Sequence, residues 1–262
     1  MAQEYILPVK IDKGRGFPLV LLHGLGNTHE SWHFVLEHLD YTKWRVIVLD
    51  LLGFGDAPKP AISYTAKDHA DAVIATLRAL DISEAVFAGH SMGSLVSIEI
   101  AHVYPTFVKR QVLLGCPLYQ KKPRGAWWQQ ITRAEGIYFA LFDTVKKMPE
   151  EVQAGSDVVN VAIPFVKGFE VTRETWPAYR KSLEHTIMQQ ESYKHAAALK
   201  IPTLFVNGLL DLFIIRSVTN RVVRGNRRFL SIKRVLGPHE LTPQQGKVVA
   251  GVINHQDTEL NR

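Results

Sequence analysis

The sequence contains a single cysteine, which limits the ways in which the fold can be held together. Cys116 has no second cysteine to pair with, so no internal disulfide can form, and a reducing, cytoplasmic location is expected by default. The start of the chain, Met1–Lys10, lacks a basic segment followed by an apolar stretch, so no signal peptide is indicated. No apolar run is long enough to span a bilayer, and we expect no stable membrane insertion.

Long tracts of one charge are also scarce. The chain carries 31 Lys and Arg residues against 25 Asp and Glu residues, a formal net charge of +6. The basic residues are scattered, apart from Lys121–Arg124 and the stretch from Arg221 to Arg228, and no aromatic residues interleave with them as a binding motif. We therefore predict no nucleic-acid partner and interpret the charge as favouring solubility, with a weak attraction to anionic surfaces left open.

The length and composition are those of one large folded domain. With 262 residues, 46% of them hydrophobic, one α/β domain with an insertion fits better than two independent domains. The apolar runs and their breaks predict strands that alternate with helices. The predicted strands are Tyr5–Ile11, Pro18–Leu22, Trp44–Leu49, Glu84–Ala88, Val108–Leu114, Ile201–Val206 and Arg228–Val235. The predicted helices are Ser31–Leu39, Thr65–Leu80, Ser94–Tyr104 and Pro243–Asn254.

The alternation breaks between Cys116 and Ala198. This stretch is rich in aromatic residues and is punctuated by glycine and proline, which predicts several short helices. Because it is too long for a plain loop, we predict a core domain of residues 1–115 and 199–262, interrupted by a helical cap insertion at 116–198. The expected fold class is α/β, with a mostly parallel sheet and helices on both of its faces.

The most informative motif is Gly89-His90-Ser91-Met92-Gly93, which fits the pattern G-x-S-x-G between a predicted strand and a predicted helix. A serine in such a tight turn is held out of the sheet in a strained conformation, and the two glycines let the strand and the helix pass close together. The motif predicts that Ser91 is a nucleophile for acyl transfer. The alternative is an ordinary buried serine in a turn.

A nucleophilic serine needs a base to accept its proton and an acid to orient that base. In an α/β sheet, such groups belong on loops that leave the carboxyl ends of strands. Asp211 follows the strand that ends at Val206, and His239 follows the last predicted strand. We predict that His239 is the base and Asp211 the acid, the alternative for Asp211 being a helix N-cap.

These motifs resemble those of α/β-hydrolase fold enzymes that carry a cap. The chain order Ser91, Asp211, His239 is the order of that family, and the resemblance extends over nearly the whole length. It implies an α/β-hydrolase fold and no requirement for a metal or an organic cofactor. Some members place the acid one strand earlier, but there this chain reads Gly115-Cys116-Pro117 and offers no carboxylate.

The resemblance also implies how a developing oxyanion would be held. The sequence His23-Gly24-Leu25-Gly26 follows the second predicted strand, and in the family this loop supplies half of the oxyanion hole. The expected donors are the backbone N–H groups of Leu25 and Met92. Trp127, Trp128 and Tyr138 are candidates for substrate binding, although adjacent helical residues do not share a face and the two tryptophans could instead form the core of the cap.

Three classes of function follow from the resemblance. The first is a serine hydrolase, most specifically a carboxylesterase for small to medium apolar acyl esters, because an apolar cap would cover such a substrate. The second is hydrolysis of carbon–carbon bonds in vinylogous diketones, which needs cationic or polar cap residues to bind the substrate carboxylate; the available cations are Arg124, Arg133, Arg173 and Arg180. The third, a non-catalytic ligand-binding protein, is disfavoured by the complete triad. We expect a small-molecule ester substrate and a monomer or homodimer.

Overall fold

The computed structural model describes residues 4–119 and 172–255. The strands in this part of the chain are β1 (Val9–Lys13), β2 (Phe17–Leu22), β3 (Trp44–Leu49), β4 (Ala85–His90), β5 (Val108–Leu114), β6 (Thr203–Gly208) and β7 (Leu230–Val235). The helices are α1 (His33–Leu36), α2 (Ala66–Ala79), α3 (Met92–Val103), α4 (Trp176–Ser182), α5 (Ser192–Ala198), α6 (Arg216–Gly225) and α7 (Pro243–His255). Short 3-10 helices lie at His29–Trp32 and Pro105–Phe107, and a π-helix at Leu183–Met188 follows α4.

The strands form one sheet in the order β1-β3-β2-β4-β5-β6-β7. Strand β1 pairs antiparallel with β3, and every other neighbouring pair is parallel. Strands β4 to β7 are therefore adjacent and run in the same direction, so their carboxyl ends lie along one edge of the sheet. The predicted fold class, a mostly parallel α/β sheet, is confirmed.

Alternate residues of the central strands pack on opposite faces of the sheet, as the pleat requires. In β2, Val20 and Leu22 belong to the cluster under α2, α3 and α4, while Leu19 and Leu21 face the cluster that contains residues of α7. Because both faces are covered, these strands are continuous apolar runs rather than alternating patterns. Helix α7 also packs on α1, so the second face is closed by those two helices.

Most predicted elements differ from the structure by one or two residues at an end, and two differ by more or are divided. The first strand begins at Val9 and not at Tyr5, because Pro8 has no N–H to give to a ladder and pairing with β3 starts after it. The predicted helix Ser31–Leu39 is divided into the 3-10 helix and the single turn of α1, which ends at Leu36. A tighter 3-10 turn is common at the start of a helix.

The predicted cap insertion lies only in part within the described residues. Its last segment, residues 172–198, forms α4, the π-helix and α5 on the face that carries α2 and α3. Thr186 Oγ1 donates to Tyr64 O at 2.7 Å, and Ser182 Oγ lies 3.2 Å from His69 Nε2 on α2. The division of the chain into core and cap at the stated boundaries stays a prediction.

Candidate active site

Ser91 lies between β4 and α3 in a backbone conformation that few non-glycine residues adopt. Its φ is 51° and its ψ is −117°, and such strained positions cost about 1–3 kcal/mol and cluster at functional sites. The Ser91 amide donates to Leu114 O of β5 at 2.9 Å. The turn thus holds the serine at the carboxyl edge of the sheet.

Both glycines of the motif are required by close backbone contacts. A Cβ atom on Gly89 would lie 2.4 Å from Gly93 O, and a Cβ atom on Gly93 would lie 2.2 Å from Leu22 O. Neither neighbour is a flexible side chain that could move aside. Glycine at these two positions therefore allows α3 to begin directly above the ends of β4 and β2.

The structure brings together the three side chains that the sequence proposes as a triad. His239 Nε2 lies 2.9 Å from Ser91 Oγ, and His239 Nδ1 lies 2.8 Å from Asp211 Oδ2. The other oxygen, Asp211 Oδ1, accepts a 2.8 Å hydrogen bond from the amide of Phe213. The Asp211 side chain is 1% exposed and that of His239 10%, so the chain of hydrogen bonds is shielded from water but the imidazole remains reachable.

The Asp211 carboxylate determines which nitrogen of His239 carries a proton. A carboxylate only accepts, so Nδ1–H donates to it and Nε2 is free to accept the proton of the Ser91 hydroxyl. Burial lowers the pKa of His239, but the hydrogen bond to Asp211 and the charges of Asp211 and Glu240 outweigh it and raise the pKa above 6.5. The arrangement can therefore take a proton from Ser91 and stabilise the resulting imidazolium.

Two further side chains hold the loop that carries His239. His90 Nε2 donates to His239 O at 2.9 Å, and burial lowers the pKa of His90, which keeps its ring neutral. Gln245 Nε2 donates to Pro238 O at 3.0 Å while Gln245 Oε1 accepts from the amide of Thr242 at 3.0 Å. Thr242 and Gln245 form a capping box at the start of α7. This T-x-x-Q signal is visible in the sequence, yet the role of Gln245 beside the histidine loop was not predicted.

Gly115 occupies the place after β5 where an alternative acid would stand. Its φ is 56°, and a Cβ atom there would lie 3.1 Å from His239 Cε1 and 3.3 Å from Asp211 Oδ2. A side chain at this position would press on the histidine–aspartate pair. The glycine at position 115 therefore leaves room for Asp211, which follows the neighbouring strand β6, to contact His239.

The loop after β2 is fixed against the serine by His23. Its Nδ1–H donates to Gly24 O at 2.8 Å and its Nε2 accepts from the amide of Leu51 at 2.9 Å. Burial lowers the pKa of His23 to about 4, so the imidazole is neutral and can keep both bonds. A Cβ atom on Gly24 would lie only 3.2 Å from Ser91 Cβ, which shows how closely this loop approaches the serine.

The two proposed oxyanion donors belong to segments that adjoin Ser91. Leu25 follows Gly24 in that loop and is half-buried. Met92 is the first residue of α3, and N–H groups of a first helical turn have no acceptor within the helix. Both amides are thus on elements that adjoin Ser91. Trp127, Trp128 and Tyr138, the predicted substrate-binding residues, lie outside the described residues.

In residues 4–119 and 172–255, no helix combines the length and hydropathy that crossing a membrane would require. No group of three or more His, Cys, Asp or Glu side chains in those residues is arranged to hold a metal ion.

A serine, an aspartate and a histidine on the carboxyl-edge loops after β4, β6 and β7 of such a sheet define a class of protein. The chain belongs to the alpha/beta hydrolase fold family, whose family profile matches residues 18–224. The resemblance drawn from the sequence is thereby confirmed.

The chain spans less than half the length of each of the two curated relatives described here. The chain is 34% identical over 126 residues to (E)-2-((N-methylformamido)methylene)succinate hydrolase from Acinetobacter baylyi, covering 48% of this chain and 47% of that protein. It is 36% identical over 108 residues to 2-hydroxymuconate semialdehyde hydrolase from a Pseudomonas species, covering 40% and 38% respectively. The enol-lactonase from Burkholderia xenovorans has a similar structure, with a TM-score of 0.71, 20% identity and coverage of 97% of this chain and 96% of that one.

Proposed function

We propose that this protein is a serine hydrolase that forms a covalent acyl-enzyme on Ser91. The observation that carries the proposal is the continuous hydrogen-bonded chain from Ser91 Oγ through His239 to Asp211. A serine hydroxyl is a weak nucleophile at neutral pH and needs this arrangement to lose its proton as it attacks. Ser91, where this series of hydrogen bonds begins, lies in a strained turn flanked by glycines, which a serine with no chemical role does not require.

In the proposed reaction, His239 Nε2 takes the hydroxyl proton while Ser91 Oγ forms a bond to the acyl carbon. Asp211 stabilises the imidazolium through Nδ1–H. The tetrahedral intermediate collapses as His239 gives the proton to the leaving group. Water then attacks the acyl-enzyme with His239 again acting as base, and the acid product departs from a restored Ser91.

We assign the oxyanion hole to the amides of Leu25 and Met92. The proposal is supported by the approach of the Gly24 loop to Ser91 and by the position of Met92 at the start of α3. Two donors at a developing oxyanion stabilise the transition state, and the loss of one such donor typically slows a reaction about 100- to 1000-fold. No metal or organic cofactor enters any of these steps.

As substrates we propose carboxylic esters with small to medium apolar acyl groups. Two of the four arginines considered for binding a diketone carboxylate, Arg173 and Arg180, are exposed, which gives no support to a buried carboxylate site on that part of the chain. Hydrolysis of carbon–carbon bonds remains the second candidate because 2-hydroxymuconate semialdehyde hydrolase is among the relatives.

The test of the nucleophile is intact-mass measurement after incubation with a fluorophosphonate probe. Wild-type protein should gain one adduct, Ser91→Ala none, and His239→Ala an adduct at a strongly reduced rate. Ser94→Ala is the matched control, since it removes a neighbouring buried hydroxyl that is bonded to Gly89 O, and it should still be labelled. A folded wild-type protein that takes up no adduct would contradict the proposal.

The two substrate classes are separated by a second assay on the same proteins. Short p-nitrophenyl esters and a vinylogous diketone are each offered to wild type and to Ser91→Ala. Ser91-dependent ester cleavage with no turnover of the diketone supports the esterase. The opposite result assigns the carbon–carbon hydrolase and leaves the acyl-enzyme proposal to the labelling experiment.

A further inference from the structure

The net charge of the chain resides in one segment. Between Leu209 and Leu236 the sequence has seven of the 31 basic residues and one of the 25 acidic residues, which leaves 24 of each in the remainder. The one acidic residue, Asp211, is buried and bonded to His239. At the surface this segment is therefore purely cationic, while the rest of the molecule is balanced.

The fold gathers these cations on the β7 edge of the sheet. Helix α6 packs on β7, the last strand of the sheet. Six arginines are exposed and Lys233 is half-buried; the arginines are Arg216, Arg221, Arg224, Arg227, Arg228 and Arg234. Arg234 Nη2 donates to Asn220 Oδ1 of α6 at 3.4 Å, which joins the strand to the helix side of this surface.

Exposed leucines lie at the carboxyl ends of β6 and β7, near the start of α6. Four leucines of the segment are strongly exposed: Leu209 at 43%, Leu210 at 61%, Leu212 at 55% and Leu236 at 62%. The loops that carry them are tied together, since the amide of Leu210 donates to Gly237 O at 3.0 Å. The Arg216 guanidinium donates to Leu209 O, so Arg216 lies at the same end of the sheet as the leucines, whereas Arg224, Arg227 and Arg228 lie near the first residue of β7, at the other end. The four leucines and the arginines along the β7 edge are here named together the Leu-Arg face.

We propose that the Leu-Arg face docks on an anionic phospholipid bilayer. Leucines can enter the boundary between headgroups and acyl chains, and the arginines along the same edge of the sheet can pair with lipid phosphates. Exposed apolar side chains at one end of a cationic edge fit this partner better than a nucleic acid, whose binding uses cations together with base-stacking aromatic residues. The four leucines are aliphatic, and the aromatic residues of the segment, Phe213 and Phe229, are only half-exposed.

Docking through this face would set the candidate active site beside the lipid. Leu210 and Leu212 flank Asp211, and Leu236 comes three residues before His239. The inference itself rests on surface charge and exposure and not on the proposed hydrolysis. Binding is therefore expected to be unchanged in Ser91→Ala, whereas the labelling of Ser91 tests the reaction separately.

The test is flotation of the full chain with vesicles of phosphatidylcholine, with and without phosphatidylglycerol. Binding is expected only to the anionic vesicles and should be lost when salt is raised from about 0.1 M to about 1 M, because the Debye length then falls from about 10 Å to about 3 Å. The triple variant R224Q/R227Q/R228Q should lower the partition coefficient roughly 100-fold. The control K13Q/K67Q/K109Q removes the same charge from other surfaces and should bind as wild type.

The contribution of the leucines is tested with the variant L210S/L236S, whose partition coefficient for anionic vesicles should be at least about tenfold lower than that of wild type. The matched control I6S/F17S changes two exposed apolar residues near the opposite edge of the sheet. Circular dichroism melts establish that each variant is folded. Equal losses in the two charge variants, no binding to anionic vesicles, or retention on an RNA oligonucleotide without vesicle binding would each overturn the proposal.

Discussion

At the scale of single residues, the hydrogen bond between His239 and Asp211 controls both the orientation and the basicity of the imidazole. The 2.8 Å hydrogen bond orients the imidazole and raises its pKa above 6.5 against the opposing effect of burial. A raised pKa makes the ring a stronger base, but it also means that more of the protein carries a protonated His239, which cannot accept the Ser91 proton, at mildly acidic pH. Reactivity of Ser91 should therefore depend on pH through this one group.

We expect Asp211→Asn to slow fluorophosphonate labelling of Ser91 by about 10,000-fold, since the amide favours the wrong tautomer of His239. In wild type the labelling rate should fall as the pH drops through the raised pKa of His239, with a midpoint above 6.5. In Asp211→Asn that midpoint should move to lower pH because the stabilising charge is gone. Labelling rates measured across pH by intact mass provide both numbers.

The matched control is Asp56→Asn, which neutralises a carboxylate whose side chain is 71% exposed and which pairs with Lys10. It should keep the wild-type rate and midpoint. An unchanged midpoint in Asp211→Asn would show that another group controls the pH dependence, and the acid role assigned to Asp211 would have to be abandoned.

At the scale of elements, the junction of β4 and α3 decides where the serine is held. The helix starts immediately after Ser91, and Gly93 lies against the backbone at the end of β2. A first helical turn this close to a strand is possible only without a side chain at that point. The strain at Ser91 is maintained because the surrounding backbone of β2, β4 and β5 is fixed by sheet hydrogen bonds.

We expect Gly93→Ala to lower the free energy of unfolding by about 1–3 kcal/mol or more, since its Cβ atom would overlap Leu22 O and force the backbone apart. Urea denaturation followed by circular dichroism measures the loss. Gly251→Ala in α7 is the control, because a Cβ atom there meets nothing within 4 Å. That change should raise stability by about 0.5–1 kcal/mol through helix propensity alone; a Gly93→Ala protein as stable as wild type would refute the packing argument.

At the scale of the whole molecule, three histidines, His23, His69 and His90, are buried where a charge would be unfavourable. Burial lowers the pKa of His23 to about 4 and that of His69 to about 3. In the unfolded chain both would titrate near 6.5. The unfolded state therefore binds more protons than the folded state below that pH, so stability is present at neutral pH and is lost as the pH falls.

We expect the free energy of unfolding to decrease as the pH falls from about 6.5 toward 4, with His69 contributing up to about 1.4 kcal/mol per pH unit. Replacing His69 by glutamine should reduce the slope of the free energy of unfolding against pH by up to about 1.4 kcal/mol per pH unit, which is the contribution of one bound proton. Urea denaturation at a series of pH values measures the slope. His38→Gln, which removes an exposed histidine, is the control; identical slopes in wild type and His69→Gln would contradict the assignment.

Much of the fold could be predicted because the signals are local. Apolar runs covered on both faces predicted β2, β3 and β5, and helical spacing predicted α2 within one residue at each end. Helix α6 was not predicted, because most of its surface is polar and only Val218, Thr219 and Val222 are buried. The predicted start of β1 at Tyr5 was wrong because the sequence does not reveal which residues beyond Pro8 find a partner strand.

The sequence by itself determined the candidate residues: the serine of G-x-S-x-G, and an acid and a histidine on later loops. Only the tertiary structure decided that they meet, because Ser91 and His239 are 148 residues apart and their contact depends on the order of strands in the sheet. Strand order results from pairing between distant segments and leaves no local pattern. The Leu-Arg face has the same origin, since packing α6 on β7 is what brings the basic residues of the helix and of the strand to one edge of the sheet.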